Sequence, residues 1–395
     1  MADMLQRRIG LGLLTAYGVG VMVGAGIYVL VGAVAAQAGV WAPVSFLIAG
    51  LIAAPTALSY AEFSTRLPEA AGEAAYVATG FSRAWLGLII GLAIVAAGTV
   101  SAAAVLRGGS GYLISITGLP FGPTVAVMGA GLLAVAVIGV LESLALAAFF
   151  TLIEVTGLAL VVFAGITAEP AASFAAPAGI VWAGVASAAT LAFFAFIGFE
   201  DIVNMAEEVR HPTRTLPRAI LLSLVITSLL YALVSYAAVR AVPLERLSVS
   251  EQPLALVWQE ARGGSAAFLS VIAVAAALNG VLAQIVMAAR VLFGLGARHR
   301  RLAIFHHAHP KFGTPVLGTG LIGAAVIGAA LTLPIADLAQ ATSALLLGVF
   351  VLVNGALIAL KRRAPEAVFS VPMAVPVAGL ILSLGAFAFT IGGLA

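Results

Sequence analysis

The chain has 395 residues, 63% of them hydrophobic and 9% charged, with a formal net charge of +3 and a mean hydropathy of +1.16. That balance excludes a water-soluble domain and fits a polytopic membrane protein. The absence of cysteine excludes disulfides, thiolate catalysis and thiolate metal sites. So small a net charge gives no footprint for nucleic acid, and no pattern in the chain calls for a cofactor.

Eleven stretches of about 20 apolar residues are long enough to cross a bilayer. They are 10–38, 42–62, 84–106, 123–140, 146–167, 179–203, 219–239, 265–290, 315–333, 338–360 and 372–393. Arg7 and Arg8 precede the first, as in a signal peptide. Here, however, the apolar run is too long, is broken by glycine and is followed by many further spans, so it reads as a retained first helix. With a cytoplasmic N-terminus, 15 of the 19 Lys and Arg fall in inside segments, and only Arg107, Arg240, Arg246 and Arg262 fall outside. That bias fixes the orientation of a multi-pass protein of the cell (inner) membrane and leaves the C-terminus outside. No connecting segment is long enough for a soluble domain. The largest are 107–122, with its Gly-Gly-Ser-Gly run, and 240–264 on the outside, and 291–314 on the inside with four of the five His.

The first span carries Gly18, Gly20, Gly24 and Gly26 within nine residues. Each glycine costs a helix about 1 kcal/mol relative to alanine, so the cluster marks a place where the helix opens. An opened helix exposes N–H and C=O groups that need partners inside the bilayer. Gly20-x-x-x-Gly24 also fits a helix–helix contact. The sixth span contains Phe193-Phe194-Ala195-Phe196-Ile197-Gly198-Phe199-Glu200-Asp201. A break at Ile197–Gly198 puts both acids in the first turn of a new half-helix, where carboxylates satisfy free N–H groups; an ordinary helix end reaching the interface is the plainer alternative. The first and sixth spans are five apart, an odd number, so two similar halves so arranged have opposite topology. Gly-interrupted spans in corresponding positions point to a midplane substrate site.

At these residues the chain resembles the amino acid–polyamine–organocation superfamily of secondary transporters, close to bacterial amino acid permeases. Four segments carry the resemblance: Val23 to Tyr28; Ser59 to Phe63 with Arg66 to Glu73; Phe194 to Glu200; and Glu207 to Pro212 with Thr215 to Ile220. The resemblance implies an all-α integral membrane protein with a LeuT-like five-plus-five inverted repeat. The repeats would be 8–168 and 176–363, with an additional C-terminal helix in 364–395. It implies that backbone N–H groups around Val23, Gly24, Ala25, Gly26 and Ile27 hold a substrate α-carboxylate. It also implies that carbonyls of Phe194, Ala195 and Ile197, beside Gly198, hold the α-ammonium, with Phe194 closing the site. A half-helix N-terminus suits an anion and a half-helix C-terminus suits a cation, so a zwitterion fits without a charged side chain. Phe194, Phe196 and Phe199 are expected to offer apolar walls. Neutral L-amino acids, moved by alternating access, are the expected substrates.

Two features depart from that family pattern. Glu154 lies mid-span in the fifth helix, where several relatives carry lysine. A carboxyl at that depth is costly as an anion and suits proton coupling, or else fixes helix packing. Sodium coupling fits less well, since Val271 to Phe293 holds no Ser or Thr, only Asn279, Gln284 and Arg290 as polar residues. Asn279 is read as a pocket or gate residue and Arg290 as an anchor reaching the interface; Glu142 is read as interfacial. The second departure is the count of eleven spans where many relatives have twelve, which leaves the oligomeric state open.

Three rival functions compete with this reading. An intramembrane enzyme would have no Ser-His dyad, because all five His lie in inside segments; the cluster His306-His307-Ala308-His309 reads as solvated rather than metal-binding. A channel or receptor is the second; a channel would need a continuous polar pore, whereas the polar residues gather at two breaks. A polyamine or other organic amine, or an exchange mode, keeps the same fold, with Glu154 or Glu200 as the cation's partner.

Overall fold

The computed structural model describes residues 9–67, 72–138, 144–175, 179–206, 209–310 and 312–394. Pro68 to Ala71, Glu142, Glu207, Glu208 and Lys311 lie outside the described residues. The chain is helical almost throughout, as the bilayer requires, since a helix satisfies its backbone groups within the segment. The helices in order are α1 (Leu11–Val23), α2 (Ala25–Ala38), α3 (Ala42–Arg66), α4 (Gly72–Phe81), α5 (Ala84–Thr117) and α6 (Phe121–Ile138). Next come α7 (Leu144–Thr167), α8 (Ala172–Ala175), α9 (Trp182–Ala192), α10 (Pro212–Ala241), α11 (Leu244–Leu247) and α12 (Pro253–Arg262). The last four are α13 (Ala267–Arg298), α14 (Val316–Thr332), α15 (Ile335–Arg363) and α16 (Ala374–Leu394).

Nine described segments are long and apolar enough to cross a membrane. The first of them, Gly26–Arg66, runs α2 and α3 together, and Leu11–Val23 and Val316–Thr332 are shorter apolar helices. Taking α1 and α2 as halves of one span, separating α3 and adding α14 gives the eleven spans expected.

The connections differ from expectation. α5 runs on to Thr117, so Gly108-Gly109-Ser110-Gly111 is buried helix rather than an outside loop. A Cβ on Gly108 would overlap Val29, and one on Gly109 would overlap Ala277. Glycine there lets α2 and α13 approach α5 closely. Arg107 is helical too; its Nη1 donates to the Ala330 carbonyl at 2.7 Å. The segment 240–264, expected outside, is largely helix, α11 and α12, and the segment 291–314, expected inside, holds the end of α13 and a 3₁₀ turn at Arg300–Phe305.

Packing follows a simple rule. α3 lies on α10, α5 on α13 and α6 on α14, so the second, third and fourth spans meet the seventh, eighth and ninth. Two five-span units related by a pseudo-twofold axis in the membrane plane produce this pattern, which is the LeuT-like arrangement. α1 packs between α7 and α10, and α2 against α9. A parallel bridge between Ile9 and Val209 ties the entry to α1 to the segment before α10.

Candidate functional site

The first break is one residue long. α1 ends at Val23; Gly24 takes φ −33 and ψ −173, and α2 starts at Ala25. The four clustered glycines divide into two roles. A Cβ on Gly18 would lie 2.5 Å from Ile202 Cδ1, and one on Gly20 would overlap Thr151 of α7, so these two serve close packing. Gly24 and Gly26 lie at the opening itself. The Gly24 N–H still donates to the Gly20 carbonyl at 3.2 Å, so the expected anion donors reduce to Ala25, Gly26 and Ile27. Their N–H groups open α2 and have no preceding turn of their own helix to bond.

The second break is longer. α9 ends at Ala192 and passes into a 3₁₀ turn at Phe193–Phe196; a second 3₁₀ segment, Glu200–Met205, follows. Gly198 between them has φ +122, a conformation that side chains other than glycine's rarely adopt. The carboxylate of Glu200 accepts the Gly198 N–H at 2.9 Å, so the acid at the start of the new segment satisfies the backbone opened just before it. The half-helix expected after the break is thus 3₁₀ rather than α.

The two breaks touch. A Cβ on Gly198 would lie 2.6 Å from Val21 Cγ1, and one on Gly26 would lie 3.3 Å from Ala195 Cα and 3.6 Å from Phe194 Cδ1. Tyr231 of α10 joins them: its hydroxyl lies 2.5 Å from the Met22 carbonyl and 2.8 Å from the Ala195 carbonyl. One hydroxyl proton serves two carbonyls from different broken spans. Sequence reading missed this residue, although a tyrosine in an apolar span signals a buried hydroxyl that needs a partner. The carbonyls expected to face a cation are partly engaged: Ala195 O by Tyr231, and Phe194 O by the Ile197 N–H at 3.2 Å.

Only a narrow gap, too small for a water molecule, adjoins the contact, lined by Gly26, Val29, Leu30, Ala104, Val105, Phe194 and Ile335. Its walls carry no charged side chain. Of the three aromatic walls expected, only Phe194 lies there. Phe196 packs edge-on against Tyr231 at 5.3 Å, and Phe199 sits against Tyr60 and Phe350. Asn279 lies half-buried along α13 and is not among the lining residues.

Glu154 of α7 is 1% exposed. Neither of its carboxyl oxygens has a hydrogen-bond partner among the described residues. Its backbone carbonyl accepts the Tyr28 hydroxyl at 2.9 Å, and Tyr28 and Tyr231 lie within electrostatic reach of its carboxyl. This acid therefore sits beside the joined breaks without a compensating charge.

A second acid belongs to α4. Glu73 is buried and accepts the Tyr60 hydroxyl at 3.3 Å; Glu200 and Asp201 feel its charge. Burial pushes its carboxyl up from 4.5 to about 7. A folded value above the unfolded one means that the fold favours the neutral form. The stability this contributes is full below the unfolded value and is lost as pH rises through about 7. Melting temperature is expected to fall between pH ~5 and ~8, with a slope of up to about 1.4 kcal/mol per pH unit from this group. Glu73→Gln should flatten that part of the profile. Identical pH profiles for the two proteins would contradict it.

The amino acid permease family profile matches residues 9–393. The chain is 30% identical over 396 residues to the branched-chain amino acid permease BcaP of Bacillus subtilis, covering 92% of this chain and 82% of that protein. It is 29% identical over 362 residues to the methylthioribose transporter of the same organism, covering 86% and 77%. It is 30% identical over 352 residues to the vacuolar cationic amino acid transporter 4 of Arabidopsis thaliana, covering 82% and 58%. With its broken first and sixth spans set against each other, the chain belongs to the amino acid permease family and is a multi-pass membrane transporter, not an enzyme.

Proposed function

We propose that the protein carries neutral L-amino acids across the cell membrane by alternating access, coupled to protons, with its N-terminus in the cytoplasm. The repeats are 8–168 and 176–363, and 364–395 adds a helix beyond them. One observation carries this reading: the start of α2, whose first N–H groups have no preceding turn of their own helix to bond, faces Phe194 and Ala195 across the gap. The substrate carboxylate binds at Ala25, Gly26 and Ile27, and its ammonium binds at the carbonyls of Phe194, Ala195 and Ile197. A Cβ on Gly26 would already meet Ala195 and the gap is too small for a water molecule, so admitting a substrate requires the breaks to part, and Tyr231 must release at least one of its carbonyls. The uncharged lining of Val29, Leu30, Val105 and Ile335 suits an apolar side chain, as does the name of the branched-chain permease relative.

Glu154 supplies the coupling in this reading. It is buried and unpaired beside the breaks, where taking up and releasing a proton changes the local charge by one. In proteoliposomes, Glu154→Gln is expected to reduce gradient-driven accumulation to simple equilibration while amino acid binding persists. An unchanged response to an imposed pH gradient would remove Glu154 from that role.

The same acid favours a second reading, an organic amine or cationic substrate whose ammonium pairs with Glu154; one relative is named for cationic amino acids. Thermal stabilisation of the purified protein by the twenty amino acids, putrescine, agmatine and ethanolamine separates the two. A ligand at a hundred-fold excess over its Kd stabilises the folded state by about 2.7 kcal/mol. Shifts with a few neutral amino acids support the first reading. Shifts with amines alone overturn it.

A further inference from the structure

Away from the breaks, a cavity of about 250 Å³ lies between α6, α13 and the segment leading into α14. Val135, Val286, Phe293 and Phe312 give it apolar walls, and Arg290 borders it. Arg290 is exposed and, among the described residues, has no hydrogen bond or ion pair. The wall is built rather than loose. Thr314 Oγ1 donates to the Val137 carbonyl at 2.6 Å, and the His309 N–H donates to the Thr314 carbonyl at 2.9 Å. The His306 ring lies 4.3 Å from that of Phe293.

Along the chain that supplies α13 and the turn after it, charge has one sign. No Asp or Glu occurs between Glu260 and Asp337, whereas Arg290, Arg298, Arg300, Arg301 and Lys311 all fall there. Arg298, Arg300 and Arg301 are exposed. Ile304, 66% exposed, lies on the same 3₁₀ turn as Arg300 and Arg301.

We propose that this cavity is a binding site for an anionic phospholipid, with one acyl chain against Val135, Val286, Phe293 and Phe312 and the phosphate on Arg290. The cavity is smaller than a typical pocket for a drug-sized ligand but accepts part of a hydrocarbon chain. A guanidinium binds phosphate oxygens bidentately, and basic pockets between membrane helices select anionic headgroups. An amino acid suits the cavity poorly, because no carboxylate of this segment is present to receive its ammonium. Arg298, Arg300, Arg301 and Ile304 extend the same surface into the headgroup region, where basic and apolar side chains alternate at a membrane face.

The test is native mass spectrometry and thermal stabilisation of the delipidated full chain with dioleoyl phosphatidylglycerol, dioleoyl phosphatidylcholine or inorganic phosphate. Phosphatidylglycerol is expected to bind at least tenfold more tightly than phosphatidylcholine. Arg290→Gln should lose most of that preference. Ala136→Leu, which fills the cavity, should weaken both lipids while leaving the lipid-free melting temperature near that of the parent. Equal binding of the two lipids overturns the proposal, as does undiminished phosphatidylglycerol binding in both variants. Stabilisation by inorganic phosphate alone identifies a soluble anion as the ligand and also overturns it.

Discussion

Gly26→Val is expected to abolish uptake while the protein still inserts and purifies as a folded species. A Cβ at this position lies 3.3 Å from Ala195 Cα and 3.6 Å from Phe194 Cδ1, so a methyl group is accommodated by a shift of a few tenths of an ångström. The two γ-methyls of valine project into the gap and stand over the N–H groups of the first turn of α2. A hydrogen bond to a charged group contributes about 1.5–3 kcal/mol, so losing two such bonds to a carboxylate weakens binding about a hundred-fold to ten-thousand-fold. The helix itself loses little, since Gly26 lies in its first turn and has a negative φ. Gly198→Ala is a poorer probe. There the φ of +122 and the 2.6 Å approach to Val21 Cγ1 add backbone strain of order 1–3 kcal/mol, and lost transport would reflect lost folding. Uptake of labelled substrate in proteoliposomes, normalised to correctly inserted protein, makes the measurement. Normal uptake by Gly26→Val would remove the carboxylate from this helix start.

The breaks were legible in sequence because a glycine inside an apolar span is a statement about backbone. Gly24, Gly26 and Gly198 all lie at or beside openings in their helices. The same residue type misled at Gly108 to Gly111, where the run reads as a turn but serves close packing against Val29 and Ala277. The continuing helix on both sides, with Tyr112 and no Pro, Asn or Asp, was the available signal. Tyr231 was missed because its role depends on two carbonyls, 209 and 36 residues away, and no local spacing encodes such distances. Phe196 and Phe199 were assigned to the gap by proximity in sequence alone. The 3₁₀ winding around Gly198 turns them to other neighbours, Tyr231 and Phe350. Lys361 stands beside Arg362 and Arg363 in the sequence, with nothing local to set it apart, yet it is 8% exposed and paired across the fold.

That pair leads to the second large effect: Glu62→Ala is expected to destabilise the protein by about 3–5 kcal/mol, the cost of leaving a buried charge without its partner. Glu62 of α3 is fully buried. Its Oε1 accepts Arg66 Nε at 2.8 Å, Arg66 Nη2 at 2.6 Å and Lys361 Nζ at 2.9 Å. Its Oε2 accepts Lys361 Nζ at 2.8 Å and the Val371 N–H at 2.9 Å. Lys361 in turn donates to Ser370 Oγ and the Val371 carbonyl, while Arg66 Nη1 donates to the carbonyls of Ala364 and Glu366. One carboxylate thus gathers α3, α15 and the segment leading to α16, and its removal strands the Lys361 ammonium. Deleting both charges differs in kind. Replacing a buried pair by apolar residues of similar volume is often neutral, so Glu62→Leu combined with Lys361→Met should recover most of the stability lost by Glu62→Ala. Denaturation of the purified variants in detergent distinguishes the cases. A double variant as unstable as the single one would mean that the cluster stabilises through its hydrogen bonds to the 364–371 backbone rather than through charge pairing. The pair also joins the second span to the tenth. The alternating access proposed above would move the second span with the broken helices and leave the tenth with the frame. The pair must then either open in each cycle or mark the pivot about which the inner ends turn. Transport by the double variant separates the two: retained turnover fits a pivot that apolar contact can replace, and uptake lost from a stable protein fits a latch whose charges must separate and rejoin.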